Sequence, residues 1–362
     1  MKGLDTMSKE SPLRYFVSAN SGNGFHSLYD NVFQNERFER IFIIHGGPGT
    51  GKSTLMRALC KQAFDNGAKT EEILCSSDPE SLDGAILSHG ERHIAVLDGT
   101  LPHARIISTP GAKEELWNLG AFWDTDILAK NNAKIKELQE HKKKSYREAY
   151  ALLSAAECCH REAYLRRLDV LNAPKLTSHT ERLVKRFSLV GERRERFFRA
   201  YSMKGEYIEP SICKHSKNIV LLCGKLSSAQ IYLSYFAKLL QLKNIAHTLF
   251  LSPLSPSLID AIAIKETSAL YVWDGFAPTA MQARRVHLER FFDTENESKQ
   301  KERSLISLEK SLTNTALLSL KEAKKAHFSL EAIYGSAMNF DVMKKESSAW
   351  VENAASLLTK NT

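Results

Sequence analysis

The stretch IFIIHGGPGTGKSTLMRAL, residues 41–59, joins an apolar run to a glycine-rich loop and then to a helical pattern. The run from Arg40 to His45 predicts a buried strand, and residues 53–64 predict a helix that stops near Gly67. A strand, a tight loop and a helix in this order are the building unit of α/β proteins with mostly parallel sheets. This stretch therefore predicts the α/β fold class.

The loop fits the pattern G-x-x-x-x-G-K-[ST], between the strand and the helix that this pattern requires. Glycines let backbone N–H groups turn toward phosphate, and the helix N-terminus adds its positive dipole. We expect Lys52 to bridge the β- and γ-phosphates and Ser53 to ligate Mg²⁺. The predicted phosphate-binding residues are Gly46, Gly47, Pro48, Gly49, Thr50, Gly51, Lys52, Ser53 and Thr54.

A loop of this kind needs a second metal anchor, an acidic residue that ends a neighbouring buried strand. Asp98 follows the apolar run 94–97 and is the predicted anchor; the alternative is an ordinary turn aspartate before Gly99. Many hydrolytic ATPases carry a glutamate directly after this aspartate, where Gly99 stands here. His103, just past the strand end, is a candidate base or γ-phosphate sensor, or simply a loop histidine. The predicted catalytic residues are Lys52, Asp98 and His103.

Nucleotide identity follows by exclusion, since no guanine-reading N-K-x-D tetrapeptide occurs and ATP is favoured over GTP. Three functions stay open: an Mg²⁺-dependent ATPase, a small-molecule or nucleotide kinase, and an ATP-gated module that binds a protein or nucleic acid. The absence of glutamate after Asp98 suits a kinase. An arginine is expected to stabilise the transferred phosphate, and the candidates are Arg92, Arg105 and Arg147.

The two halves of the chain contain an internal sequence repeat. The strand that runs into Gly46 recurs before Gly224, 178 positions later (224 minus 46), and Asp98-Gly99 recurs at Asp274-Gly275. Upstream, Phe16 recurs at Phe197, 181 positions later (197 minus 16). The repeat predicts a duplication that gives two tandem lobes of the P-loop NTPase type, each a three-layer α/β/α unit with a mostly parallel sheet.

The second copy of the loop has lost its phosphate-binding residues. With the 178 offset, the positions of Gly51, Lys52 and Ser53 are taken by Ala229, Gln230 and Ile231. Without the lysine, the hydroxyl or the glycine run, this loop cannot hold a triphosphate in the ordinary way. The second lobe is predicted to be a nucleotide-free partner of the first, with Asp274 retained at the place of Asp98.

Each half also contains a long segment without proline or glycine, residues 122–173 and 279–334. Apolar residues recur there at helical spacing, which predicts helical arms. The first arm is either one long helix or a hairpin bent near His141. Ser178 with Glu181 resembles a capping box that opens a connecting helix. The predicted domains are an intact lobe with its arm at 1–175, a connecting helix or linker at 176–192, and a degenerate lobe at 193–362.

Composition restricts the remaining possibilities. The chain has 362 residues, a net charge of +8 and six cysteines without a C-x-x-C pair, so free thiols in a reducing cytoplasm are expected. No apolar run reaches the length of a membrane span, so no membrane partner is expected. Basic runs at Lys142–Lys144 and Arg193–Arg199 are either solvated surface or a weak nucleic-acid patch. Self-association through the arms is a further possibility.

These residues resemble a family of uncharacterised bacterial ATP-binding proteins, often labelled ATPases, that are built from two tandem P-loop halves. The resemblance rests on G-G-P-G-T-G-K-S-T, on the D-G-T-x-P-H run at 98–103, on Pro110-Gly111, on the L-G-x-F-W-D run at 119–124 and on Ala149-Tyr150. It implies ATP binding and ATPase activity with no established substrate. Members commonly keep a recognisable second P-loop, from which this chain departs.

Overall fold

The computed structural model describes residues 11–102, 105–278, 282–293 and 299–359. The first half contains strands β1 (Leu13–Phe16), β2 (Ser18–Ser21), β3 (Gly24–Ser27), β4 (Arg40–His45), β5 (Lys69–Leu74), β6 (Leu82–His89), β7 (Arg92–Asp98) and β8 (Glu114–Asn118), and helices α1 (Tyr29–Val32), α2 (Lys52–Asp65), α3 (Thr125–Lys130), α4 (Asn132–Asp169) and α5 (Ala173–Val184). The second half contains β9 (Arg193–Arg196), β10 (Arg199–Ser202), β11 (Gly205–Ile208), β12 (Asn218–Cys223), β13 (His247–Leu251), β14 (Ile259–Ile264), β15 (Ala269–Trp273) and β16 (Arg284–His287), with helices α6 (Ser211–Lys214), α7 (Leu226–Leu242), α8 (Lys299–Ser336) and α9 (Phe340–Ser356).

Two six-stranded sheets share one topology. The first has the order β1-β5-β6-β7-β4-β8, and the second has the matching order β9-β13-β14-β15-β12-β16. In each sheet every neighbouring pair is parallel except those made by one strand, β6 or β14. The predicted α/β class, the mostly parallel sheets and the two similar lobes are confirmed.

The two lobes meet at a pair of equivalent phenylalanines. Phe16 N–H donates to the carbonyl oxygen of Phe197 at 2.8 Å, and Phe197 N–H donates back to Phe16 at 2.9 Å. Phe16 ends β1 and Phe197 directly follows β9, and these are edge strands of the two sheets, so the reciprocal bridge lies on the pseudo-twofold axis between the lobes. The two residues that match at an offset of 181 in the sequence repeat therefore contact each other in the structure.

The predicted strand and helix around the loop form where the sequence places them. Strand β4 spans Arg40–His45 as expected, with its four central residues buried. Helix α2 buries Leu55, Leu59 and Ala63, spaced one turn apart, and the helix packs on β5, β6 and α9. The apolar face of α2 therefore fixes the direction in which the loop opens.

The arms are long helices that pair with each other. Helices α4 and α8 each have 38 residues without a break, so the hairpin alternative at His141 is wrong for the first arm. They run antiparallel and bury a seam of small and medium side chains, namely Ala149, Leu153, Ala156, Ala316 and Leu320. Such small residues let the two helix backbones approach closely.

Each arm carries its chain across to the other lobe. After α4, helix α5 packs on α7 of the second lobe, and after α8, helix α9 packs on α2 of the first. Trp350 of α9 contacts Phe42 edge-on at a centroid distance of 5.1 Å. The Asn172 side chain caps α5, so Ser178 lies inside this helix and the predicted capping box is wrong. Among the described helices, none is both long and apolar enough to cross a bilayer.

Candidate functional site

The glycine-rich loop lies between the carboxyl end of β4 and the start of α2. Gly49 and Gly51 have φ values of 72° and 89°, in the left-handed region that glycine tolerates best. Thr50 Oγ1 donates to the carbonyl oxygen of Gly47 at 2.8 Å and closes the turn. Gly49 and Gly51 thus allow the tight turn between β4 and α2.

Lys52 is the first residue of α2, and its ammonium group folds back over the loop. Its Nζ donates to the carbonyl oxygens of Gly46 at 2.7 Å and Gly47 at 2.9 Å. The same Nζ lies 3.6 Å from Asp98 Oδ2. The structure therefore brings together the predicted lysine and the predicted acidic anchor.

Asp98 ends β7 and pairs in register with Ile44 of β4. Because β4 and β7 are parallel, the loop and Asp98 share the carboxyl edge of the sheet, where ligands of α/β proteins collect. Asp98 Oδ1 accepts hydrogen bonds from Thr100 N–H at 2.8 Å and Thr100 Oγ1 at 2.6 Å. Burial raises the pKa of Asp98, while the nearby Lys52 ammonium acts in the opposite direction.

A second carboxylate, Asp83, lies at the same edge and was missed by the sequence analysis. Asp83 is 4% exposed and is the extra residue of a β-bulge between β5 and β6. Its charge contributes to the raised pKa of Asp98, so the two carboxylates are neighbours. The adjacent Leu82 N–H donates to Ser53 Oγ at 2.9 Å, which brings Asp83 close to the predicted metal hydroxyl.

This donor set fits Mg²⁺ of the kind bound together with phosphate. Across the described parts of the chain, no group of three or more His, Cys, Asp or Glu side chains is arranged to hold a metal by itself. Mg²⁺ usually keeps several waters and takes one or two carboxylates together with substrate phosphates. Ser53 with Asp98 or Asp83 suits that kind of site.

The position after Asp98 is closed to any larger side chain. A Cβ built on Gly99 would lie 2.5 Å from the imidazole ring of His45 and 2.5 Å from Ile43. A glutamate therefore does not fit there, and His45 occupies that place at the end of β4. His45 belongs to no motif and was not among the predicted site residues. The predicted residue His103 lies outside the described residues and stays a prediction.

Two of the three candidate arginines lie away from the loop. Arg92 begins β7, where its guanidinium donates to the Leu357 carbonyl oxygen at 2.8 Å. Arg105 contacts Glu114, the first residue of β8, at 3.1 Å. The first residues of β7 and β8 lie at the amino edge of the sheet, opposite the loop, so neither arginine can reach a phosphate there. Arg147 is exposed on α4.

The second lobe has a helix where the first has its loop. Helix α7 begins at Leu226, which corresponds to Pro48, so the residues equivalent to 48–51 form a helical turn instead of a cradle. The carbonyl oxygen of Gly224, the counterpart of Gly46, accepts a hydrogen bond from Trp273 Nε1 at 2.7 Å. The indole thus makes the contact that the Lys52 ammonium makes in the first lobe.

Strand register identifies Trp273 as the counterpart of Asp98. Asp98 pairs with Ile44, and Trp273 pairs with Leu222, the equivalent of Ile44. The expectation that Asp274 stands at the place of Asp98 is therefore wrong by one residue. The second lobe has lost this carboxylate as well as the lysine.

The place of Lys52 in the second lobe lies within a buried network. Gln230 Nε2 donates to Asp260 Oδ1 at 2.9 Å, and its Oε1 lies 2.8 Å from His160 Nε2. Arg199 Nη2 contacts Asp260 Oδ2 at 2.7 Å. Asp260 is the bulge residue equivalent to Asp83, 177 positions later (260 minus 83), and Ser18 stands at the place of Arg199 in the first lobe.

Helix α8 covers the loop of the first lobe. A Cβ built on Gly49 would lie 2.7 Å from the Glu331 carbonyl oxygen, and one on Gly47 would lie 3.0 Å from the Tyr334 ring. Tyr334 in turn packs on Trp123 with ring centroids 5.5 Å apart. The predicted phosphate loop is therefore in direct contact with an arm.

The basic runs are not uniform surface patches. Lys142 is half-buried and contacts His327, whereas Lys143 and Lys144 are exposed. In the second run, Arg199 is buried against Asp260. Lys142 and Arg199 are therefore less accessible to a nucleic acid than the runs suggest, which weakens the nucleic-acid hypothesis.

Comparisons of the chain with protein-family models, with curated proteins and with solved structures found no match.

Proposed function

We propose that the first lobe binds ATP with Mg²⁺ and hydrolyses it, while the second lobe takes no nucleotide. The observation that carries this proposal is the convergence of Lys52, Ser53 and Asp98 on one glycine loop at the carboxyl edge of the sheet. The P-loop NTPase class and the resemblance to two-lobe ATP-binding proteins belong to the same proposal.

The residues of this chain would act by binding and by charge. The loop amides and the positive end of α2 would hold the phosphates, and Lys52 would leave its contacts with Gly46 and Gly47 for them. Ser53 and Asp98 would hold Mg²⁺, which supplies charge neutralisation between the β- and γ-phosphates. Asp83 would support this metal from its neighbouring bulge.

The proposal is tested by measuring phosphate release from ATP with the wild-type protein and with Lys52→Ala. We expect steady release by the wild type and a loss of about 10²-fold or more in the variant, because the ammonium that binds the phosphates is removed. The variant should keep its fold, since Lys52 contacts the loop and Asp98 and is absent from the hydrophobic core. Equal release by both proteins would rule out this site.

The packing of Gly99 favours one alternative, transfer of the phosphoryl group to an acceptor other than water. No glutamate fits after Asp98 to activate a water molecule. A panel of nucleosides and metabolites added to the phosphate-release assay separates the two reactions. Consumption of ATP that depends on one added acceptor would support a kinase, and release that no acceptor changes would support hydrolysis.

A further inference from the structure

The two arms deliver a matching pair of side chains to each lobe. Helices α4 and α8 end at Asp169 and Ser336, an offset of 167 (336 minus 169), which makes His160 equivalent to His327 and Lys142 equivalent to Glu309. His160 Nδ1 lies 3.1 Å from Glu309 Oε2, and Lys142 Nζ lies 3.3 Å from His327 Nδ1. One pair is His160 with the acidic Glu309, and the equivalent pair is His327 with the basic Lys142.

In the second lobe, the pair of His160 and Glu309 contacts the residue that is equivalent to Lys52. His160 is 4% exposed and connects Glu309 to Gln230, which stands where Lys52 stands in the first lobe. The pseudo-twofold symmetry therefore places the pair Lys142 and His327 beside Lys52.

Contacts in the first lobe agree with this placement. Tyr146, one turn after Lys142, has its hydroxyl 2.7 Å from Ser77 Oγ, just past the carboxyl end of β5. On the other arm, His327 Nε2 lies 3.4 Å from Glu331 Oε1, and the Glu331 backbone lies against Gly49. Burial lowers the pKa of Lys142; Cys75 and Glu331 act against this shift, and the charge of Lys52 acts with it.

Two ammonium groups that face one loop repel each other unless an anion lies between them. A triphosphate on the loop would supply negative charge to both ammonium groups, in addition to Asp98, which lies 3.6 Å from Lys52 Nζ. In the second lobe, which lacks the loop, the residue equivalent to Lys142 is the acidic Glu309. The residue at this position of the arm is therefore basic where the lobe has the glycine loop and acidic where the lobe lacks it.

We propose that Lys142 completes the triphosphate site from the arm, its ammonium contacting the terminal phosphate while His327 holds it in place. This inference rests on the proposed function of the loop. Lys142 forms no covalent bond in this role and stabilises the terminal phosphate by charge, as cations supplied by a second element do in other phosphoryl-transfer proteins. The arms would then sense whether the nucleotide carries its third phosphate.

The test measures ATP and ADP affinity by calorimetry for the wild type, Lys142→Met and Lys142→Arg, with Lys143→Met as the control. Lys143 is the exposed neighbour in the same run, so its loss changes the net charge equally. We expect Lys142→Met to weaken ATP binding about 10-fold or more, to slow turnover by about 10²-fold, and to leave ADP binding nearly unchanged. Lys142→Arg should retain part of the preference for ATP, and Lys143→Met should match the wild type.

A second variant, His327→Ala, removes the contact that holds Lys142 and should lower the ATP preference by a smaller factor. An unchanged ratio of ATP to ADP affinity in Lys142→Met would overturn the proposal, and so would an equal loss for both nucleotides, which indicates a merely structural role. Failure of the wild type to bind either nucleotide would overturn the proposed function of the loop itself, before any arm variant is examined.

Discussion

Lys52 and Gln230 occupy equivalent positions in the two halves of the chain, yet they face different chemistry. The Lys52 ammonium lies 3.6 Å from Asp98 Oδ2 beside a glycine loop. The Gln230 amide donates to Asp260 at 2.9 Å within a buried network that an arm histidine completes. The first lobe thus has a charged group at this edge of its sheet, and the second lobe has a buried hydrogen-bond network at the equivalent position.

This difference predicts one bound nucleotide per chain. Replacement of Gln230 by alanine should leave nucleotide binding in the first lobe intact, because the two sites lie in separate lobes. It should lower the free energy of unfolding by about 1 to 3 kcal/mol, since Asp260 and His160 lose a buried hydrogen-bond partner. Calorimetry gives the stoichiometry and urea denaturation gives the stability. A stoichiometry of two would contradict the account of the second lobe.

The two carboxylates at the loop predict a dependence on magnesium. Asp98→Asn and Asp83→Asn should each raise the Mg²⁺ concentration needed for half-maximal turnover by about 10-fold or more, because each removes negative charge near Ser53. Asp65→Asn, at the far end of α2, serves as the control. If Asp83→Asn behaved like the control, Asp83 would have no part in the metal site.

The pair of buried His160 and partly exposed Glu309 predicts a pH-dependent stability. Burial is the largest single effect on His160 and opposes its protonation. The hydrogen bond and charge of Glu309, the hydrogen bond to Gln230 and the charge of Asp260 together outweigh it and raise the pKa of His160 above 6.5. A raised pKa means that the pair stabilises the fold fully below pH 6.5 and that this contribution is lost as pH rises through the raised value.

Urea denaturation of the wild type and Glu309→Gln measures this effect at pH 6 and at pH 9. The variant should be clearly less stable than the wild type at pH 6, and the difference should shrink at pH 9. Glu322→Gln, an exposed change on the same helix, should show no such trend. A difference that is constant with pH would mean that the protonation state of His160 does not change between these values.

The packing of helix α8 over the glycine loop predicts that the arms respond to ATP. Because Glu331 and Tyr334 lie against Gly49 and Gly47, a phosphate held by the loop must alter these contacts. Hydrogen exchange of residues 327–336 should change on addition of ATP, while exchange in the middle of α8, near Leu320, should not. A large change without turnover would favour an ATP-gated interaction module, and no change would exclude a role for this cover.

The sequence allowed the loop, the duplication and the limits of β4 to be predicted, because glycine spacing and apolar runs are local signals. One error arose where the repeat offset changes along the chain. The match of Asp98 with Asp274 corresponds to an offset of 176 (274 minus 98), whereas strand register makes Trp273 the counterpart of Asp98.

The role of the arms could not be derived from local pattern at all. Helical periodicity predicts a helix but does not say which lobe the end of the helix will contact. In the sequence, Lys142 is simply one member of a basic run. Its contact with His327 depends on antiparallel pairing of two helices far apart in the chain, and that pairing is set by packing of the whole molecule.

The most direct test of the central claim is calorimetric titration of Mg²⁺ and ATP into the wild-type protein, into Lys52→Ala and into Lys61→Ala. Lys61 is an exposed lysine on the same helix, paired with Asp65, and is a matched control. The account predicts one binding event in the wild type and in Lys61→Ala, and loss of it in Lys52→Ala. Binding of equal strength in Lys52→Ala, or no binding by the wild type, would contradict it.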